Sequence, residues 1–62
     1  MNFTRISENG PYHTYQCQFA DYTYTVIHDQ ERNEILDIRP STLGGIDTIK
    51  HAFQNHLKNQ NE

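Results

Sequence analysis

The chain has 62 residues, a formal net charge of −3 and a single cysteine, Cys17. This length holds one small domain, of a size at which folding buries only about 60% of the surface the unfolded chain exposes. One cysteine excludes an intramolecular disulfide and a four-cysteine zinc site, and the acidic balance gives no basic footprint for a phosphate backbone, which argues against nucleic-acid binding.

No segment reaches the roughly 18 to 20 apolar residues of a membrane span, and the opening MNFTRISENG has neither the basic nor the apolar region of a secretory leader. The expectation is a cytoplasmic protein with no membrane association.

In chain order, Phe3 to Ser7 is a candidate first strand, and Asn9-Gly10 after it is a hairpin signal. Pro11 has no N–H for the ladder beside that turn and weakens the signal. From Tyr15 the residues alternate with period 2, Tyr15, Cys17 and Phe19 on one side and Thr14, Gln16 and Gln18 on the other. After Ala20-Asp21 the alternation resumes, with Tyr22, Tyr24 and Val26 against Thr23, Thr25 and Ile27, in residue types that suit a pleated surface.

A fold-back centred on Ala20-Asp21 pairs residues whose numbers sum to 41. Phe19 then faces Tyr22, Cys17 faces Tyr24, Tyr15 faces Val26 and His13 faces His28. The near mirror symmetry of HTYQCQFADYTYTVIH follows from antiparallel pairing alone, because a hairpin with one buried face sets like residues opposite each other. The turn residues themselves are unusual, since a type I′ turn favours Asn and Gly.

Downstream, EILDI alternates again. A turn over Gln30 to Arg32, with Asn33 in a left-handed conformation, sets Leu36 opposite Val26, Ile38 opposite Tyr24 and Ile35 opposite Ile27, and Pro40 ends the strand. From residue 43 the period becomes 3.6: Leu43, Ile46, Ile49, Phe53 and Leu57 form one stripe with Ala52 and His56 beside it, opposite Asp47, Lys50, Gln54 and Lys58. Ser41 or Thr42 could cap this helix, but Gly44-Gly45 would weaken its first turn, so a start between Gly45 and Asp47 is preferred.

One apolar helix stripe and one apolar sheet face satisfy each other. The fold class is therefore α+β: a three- to four-stranded antiparallel β-meander with one C-terminal amphipathic helix packed on one sheet face, formed by residues 1–58, with residues 59–62 as a frayed tail.

Several residue groups bear on function. His13, His28 and Glu34 fall in one row in this register and are the ligand types of a zinc or non-haem iron centre; a solvated rim at the sheet's end is the competing account, and no metal or other cofactor is expected. His51 and His56 are five apart and point about 140° apart around a helix, too far to share an ion. Cys17 falls beneath the helix, which argues against a nucleophilic role. Gly44-Gly45 lacks the rest of a phosphate-loop motif, and the tyrosines fall on the face the helix covers, which removes a base-stacking role. The segments YTYTVIHD and GIDTIKHAF together resemble the HicB antitoxin pattern, in which a helix start follows a small sheet; the residues between them do not follow that family, and no function is carried over.

Ile27 and Ile35 are apolar exceptions on the otherwise polar outer face, with Phe3 possible beside them, and the strand that begins at Glu34 leaves an unpaired edge. Ile27, Ile35 and Asp37 are the candidate partner-binding residues. The expected function is a non-catalytic protein-interaction or regulatory module, binding a protein partner or a second copy through that face or edge. A metal protein using His13, His28 and Glu34, and a weak nucleic-acid-associated regulator using Arg39, Lys50 and Lys58, are the alternatives.

Overall fold

The run from Tyr12 to Asp29 folds back on itself into two eight-residue strands, β2 (Tyr12–Phe19) and β3 (Tyr22–Asp29), in a computed structural model that describes residues 1–41 and 44–60. Thr42 and Leu43, expected at the helix cap and on its stripe, lie outside the described residues, as do Asn61 and Glu62. Ala20 and Asp21 have φ values of 53° and 68°, which makes the connection the two-residue type I′ turn. All the β2–β3 pairs, from Tyr12 with Asp29 to Phe19 with Tyr22, take the expected register.

β1 (Thr4–Asn9) joins β2 through Gly10-Pro11, with Gly10 at φ 61° as a type II′ turn requires. Pro11 sits inside the loop, so its missing N–H costs the ladder nothing. Its carbonyl instead accepts a hydrogen bond from Gln30 N at 2.9 Å, tying two loops at one end of the sheet. A bulge between Arg5 and Ser7 leaves Ile6 as the extra residue.

β4 (Glu34–Arg39) completes a four-stranded sheet in the order β1-β2-β3-β4 and ends before Pro40, as expected. Its register differs from the sequence expectation for two reasons. The loop from β3 takes four residues rather than three, because Asp29 Oδ1 accepts bonds from Glu31 N (3.0 Å) and Arg32 N (3.3 Å) and Asn33 turns the chain at φ 55°. A bulge between Ile27 and His28 of the pairing then inserts Leu36. Ile38 pairs with Val26 rather than Tyr24, Ile35 with His28 rather than Ile27, and Ile27 with Asp37.

The helix α1 (Ile46–Gln60) starts where preferred, and Ile49 N donates to Gly45 O at 3.0 Å in its first turn. It continues through Asn59 and Gln60, past the end expected for it. Gly45 has φ 86°, and a Cβ there would lie 2.6 Å from Phe19 Cε2, so both backbone and packing require glycine. Asp47 in the first turn and Lys58 in the last complement the helix dipole.

Ile49 and Phe53 of α1 press onto Tyr24 and Val26 of the sheet, and all four are essentially fully buried. Around them lie Phe3, Tyr15, Cys17 and Ile38. Phe53 meets Phe3 and Tyr15 edge to face, with ring centroids 5.1 and 4.9 Å apart, a favoured aromatic geometry. Tyr24 Oη donates to Gly44 O at 2.9 Å, anchoring the approach to the helix. Two placements differ from expectation. Phe3 belongs to this core rather than to the outer face, and Tyr22, at the hairpin tip beyond the helix, is exposed.

Left-handed backbone costs a non-glycine residue about 1 to 2 kcal/mol, so the Ala20-Asp21 turn is a site of recoverable stability. Ala20→Asn with Asp21→Gly is expected to raise the unfolding free energy by about 1 to 2 kcal/mol, read as a higher urea midpoint at unchanged slope. A lowered midpoint would contradict the turn type.

Candidate functional site

The pleat of β2 and β3 sends His13 and His28 to the helix side, opposite each other as the sequence predicts, and both are buried. Glu34 does not join them. The four-residue loop moves it opposite Asp29, on the outer face, where it is exposed. Among the described residues no three of His, Cys, Asp and Glu come close enough to share a metal ion.

The two histidines are instead packed among aromatic rings. His28 lies 5.3 Å from the Phe53 ring centroid, His13 lies 6.5 Å from that of Tyr15, and His56 of α1 touches the same cluster at 5.4 Å from Phe3. His28 Nε2 donates to Asn33 Oδ1 at 3.1 Å, and its Nδ1 is buried without a partner. His13 Nε2 is 3.6 Å from Glu8 Oε1, and its Nδ1 and His56 Nε2 are likewise unpartnered. His51 is exposed, on its own.

Cys17 lies in the core as its phase required. Burial pushes its thiol above the ordinary value of 9.0, against a weaker downward pull from the N-terminal ammonium. The protonated thiol therefore favours the folded state fully below pH 9, and that contribution is lost as pH rises towards the raised folded value.

The outer face is mostly polar: Thr14, Gln16, Gln18, Thr23 and Thr25 point outward. Ile27 is half-buried between Thr14 and Asp37. Ile35 is not its neighbour. It faces the helix side opposite His28 and packs against the core, so the expected Ile27/Ile35 cluster does not form. Asp37 accepts a 2.6 Å bond from Arg39 Nε on the outer face. The three cations considered for nucleic acid are divided between surfaces, Arg39 on the outer face and Lys50 and Lys58 along a groove between α1 and β4.

The sequence pattern sets Leu36 opposite Val26 on the core side, but Ile38 takes that place. The β4 bulge leaves Leu36 49% exposed at the middle of an edge strand, and among the described residues nothing pairs with that edge. Beside it the groove is floored by Ile35 and walled by Leu57, Lys50 and Lys58 of α1, with Glu34 at its rim. The only sequence signal was three apolar residues, Ile35, Leu36 and Ile38, too closely spaced to share a face with period 2.

No protein-family model, curated protein or solved structure matches the chain.

A buried, high-pKa thiol reacts only when the fold opens. Labelling of Cys17 by a disulfide reagent at pH 8 is expected to be on the order of 10³-fold slower in buffer than in denaturing urea, for a domain of ordinary stability. Equal rates would place Cys17 at the surface.

Proposed function

We propose that this chain is a small, non-catalytic, cytoplasmic interaction module that binds protein through the free edge of β4, with the outer face around Ile27 and Asp37 beside it. The observation that carries this reading is the β4 edge itself. Its main-chain groups are available to a further strand, and it displays Leu36 next to the half-buried Ile35. An added strand gains a ladder of main-chain bonds, and alternate side chains set its specificity. The second β4 feature is its charge order, with Glu34 at one end and Arg39 at the other, both exposed.

Edge and face are separable by mutation, because Leu36 lies on the edge strand β4 and Ile27 on the inner strand β3. Leu36→Lys sets a charge in the middle of the edge and is expected to abolish self-association or cross-linking to partners in cell extract, with circular dichroism unchanged. Loss with Ile27→Lys alone would move the contact to the outer face. Retention of every association in both variants would remove the reading.

A further inference from the structure

We propose that the strand added to β4 is β4 of a second copy of this chain, paired antiparallel about a two-fold axis, with Glu34 of each copy opposite Arg39 of the other. This rests on the edge reading above and names its partner.

A two-fold antiparallel pairing is self-complementary: if residue i meets residue j, then j meets i, and residues directly opposite share a face. The pairing with β3 fixes those faces. Glu34, Asp37 and Arg39 lie opposite Asp29, Ile27 and Thr25 on the outer side, while Ile35 and Ile38 lie opposite His28 and Val26 on the helix side. Only one register overlaps all six residues of the strand, that in which partner numbers sum to 73. In that register Glu34 meets Arg39, Ile35 meets Ile38 and Leu36 meets Asp37. Both members of the first pair are outer-facing and opposite in charge, and both members of the second are apolar and helix-facing. The bulge makes this possible: with strict alternation Ile35 and Ile38, three apart, would fall on opposite faces.

The pairing also extends what β4 already does. Ile35, packed only in part against its own core, gains the other copy's Ile38 beside it. The four isoleucines floor a continuous strip between the two helices, with Leu36 near the axis. Each strand carries one surplus negative charge from Glu34, Asp37 and Arg39, and Lys50 and Lys58 line the groove that Glu34 borders, which moderates it.

The other edge provides the internal control. β1 offers an analogous charge order, Arg5 and Glu8, but Ile6 is its only apolar residue and all six of its positions are exposed. Charge does not separate the two edges, since Glu8 lies 3.8 Å from Arg5 and 3.6 Å from His13 while Arg39 is held by Asp37 at 2.6 Å; the apolar floor does. Pairing through β1 brings a ladder without an apolar floor, so β4 is the favoured edge.

The test is charge exchange followed by light scattering and sedimentation of the full chain. Wild type is expected at the mass of two chains. Glu34→Arg and Arg39→Glu each turn two symmetry-related attractions into repulsions, which is expected to weaken dimerisation at least about tenfold. The double variant E34R/R39E restores the attraction with its sign reversed and is expected to recover the dimer. R5E/E8R on β1 is expected to leave it unchanged. A wild-type chain that stays at single-chain mass, a double variant that fails to recover, or a dimer lost on the β1 exchange would overturn the proposal. A monomer whose extract partners are nevertheless lost with Leu36→Lys would overturn self-pairing and leave the edge reading standing; a monomer indifferent to Leu36→Lys would remove both.

Discussion

The two-residue turn at Ala20-Asp21 decides which side of the sheet becomes core. Two non-glycine residues there adopt left-handed backbone, at about 1 to 2 kcal/mol each. A three-residue loop would relieve that strain, but it would slip the register by one and reverse every side chain of one strand relative to the other. Tyr15, Tyr24 and Val26, now buried beneath α1, are worth about 1.5 to 3 kcal/mol apiece as buried side chains of their size. Burial outweighs strain, and the unfavourable turn sequence is carried by the strands that flank it.

The same register explains why the paired histidines gather no third metal ligand among the described residues. His13 and His28 are cross-strand partners at the end of the sheet nearest the Gly10-Pro11 and Gln30–Asn33 loops, where α1 still covers them. Their rings serve as flat packing surfaces around Phe53, and a single polar contact each, to Glu8 or Asn33, orients them. Asp29 is more consequential to the fold. Buried, it holds the amides of Glu31 and Arg32 and thereby sets the length of the loop that determines where β4 begins.

Both edge strands are bulged, β1 at Ile6 and β4 at Leu36. Bulges commonly protect edges by twisting them away from indiscriminate pairing. On β4 the bulge also brings two isoleucines onto the helix side and displays a leucine at the strand's centre, so the same irregularity that discourages generic strands favours one with a matching irregularity. β1 has the bulge without the apolar floor, and protection is sufficient account of it.

Period and composition alone determined the central hairpin, its pairing from residues 12 to 29, the amphipathic stripe of Ile46, Ile49, Phe53 and Leu57, and the burial of Cys17. Each of these rests on many residues agreeing about one face, so local alternation is enough to fix it. The phase of β4 was different. Ile35, Leu36 and Ile38 fit a half-buried strand in more than one way, and nothing local distinguishes a three-residue loop from a four-residue one or reveals an extra residue in the ladder. Only the assembled structure, with Asp29 holding the loop and α1 covering Ile35 and Ile38 but not Leu36, selected among them. Loop length and a bulge each shift pairing by one residue, and in a sheet of period 2 a one-residue shift is the whole difference between core and surface.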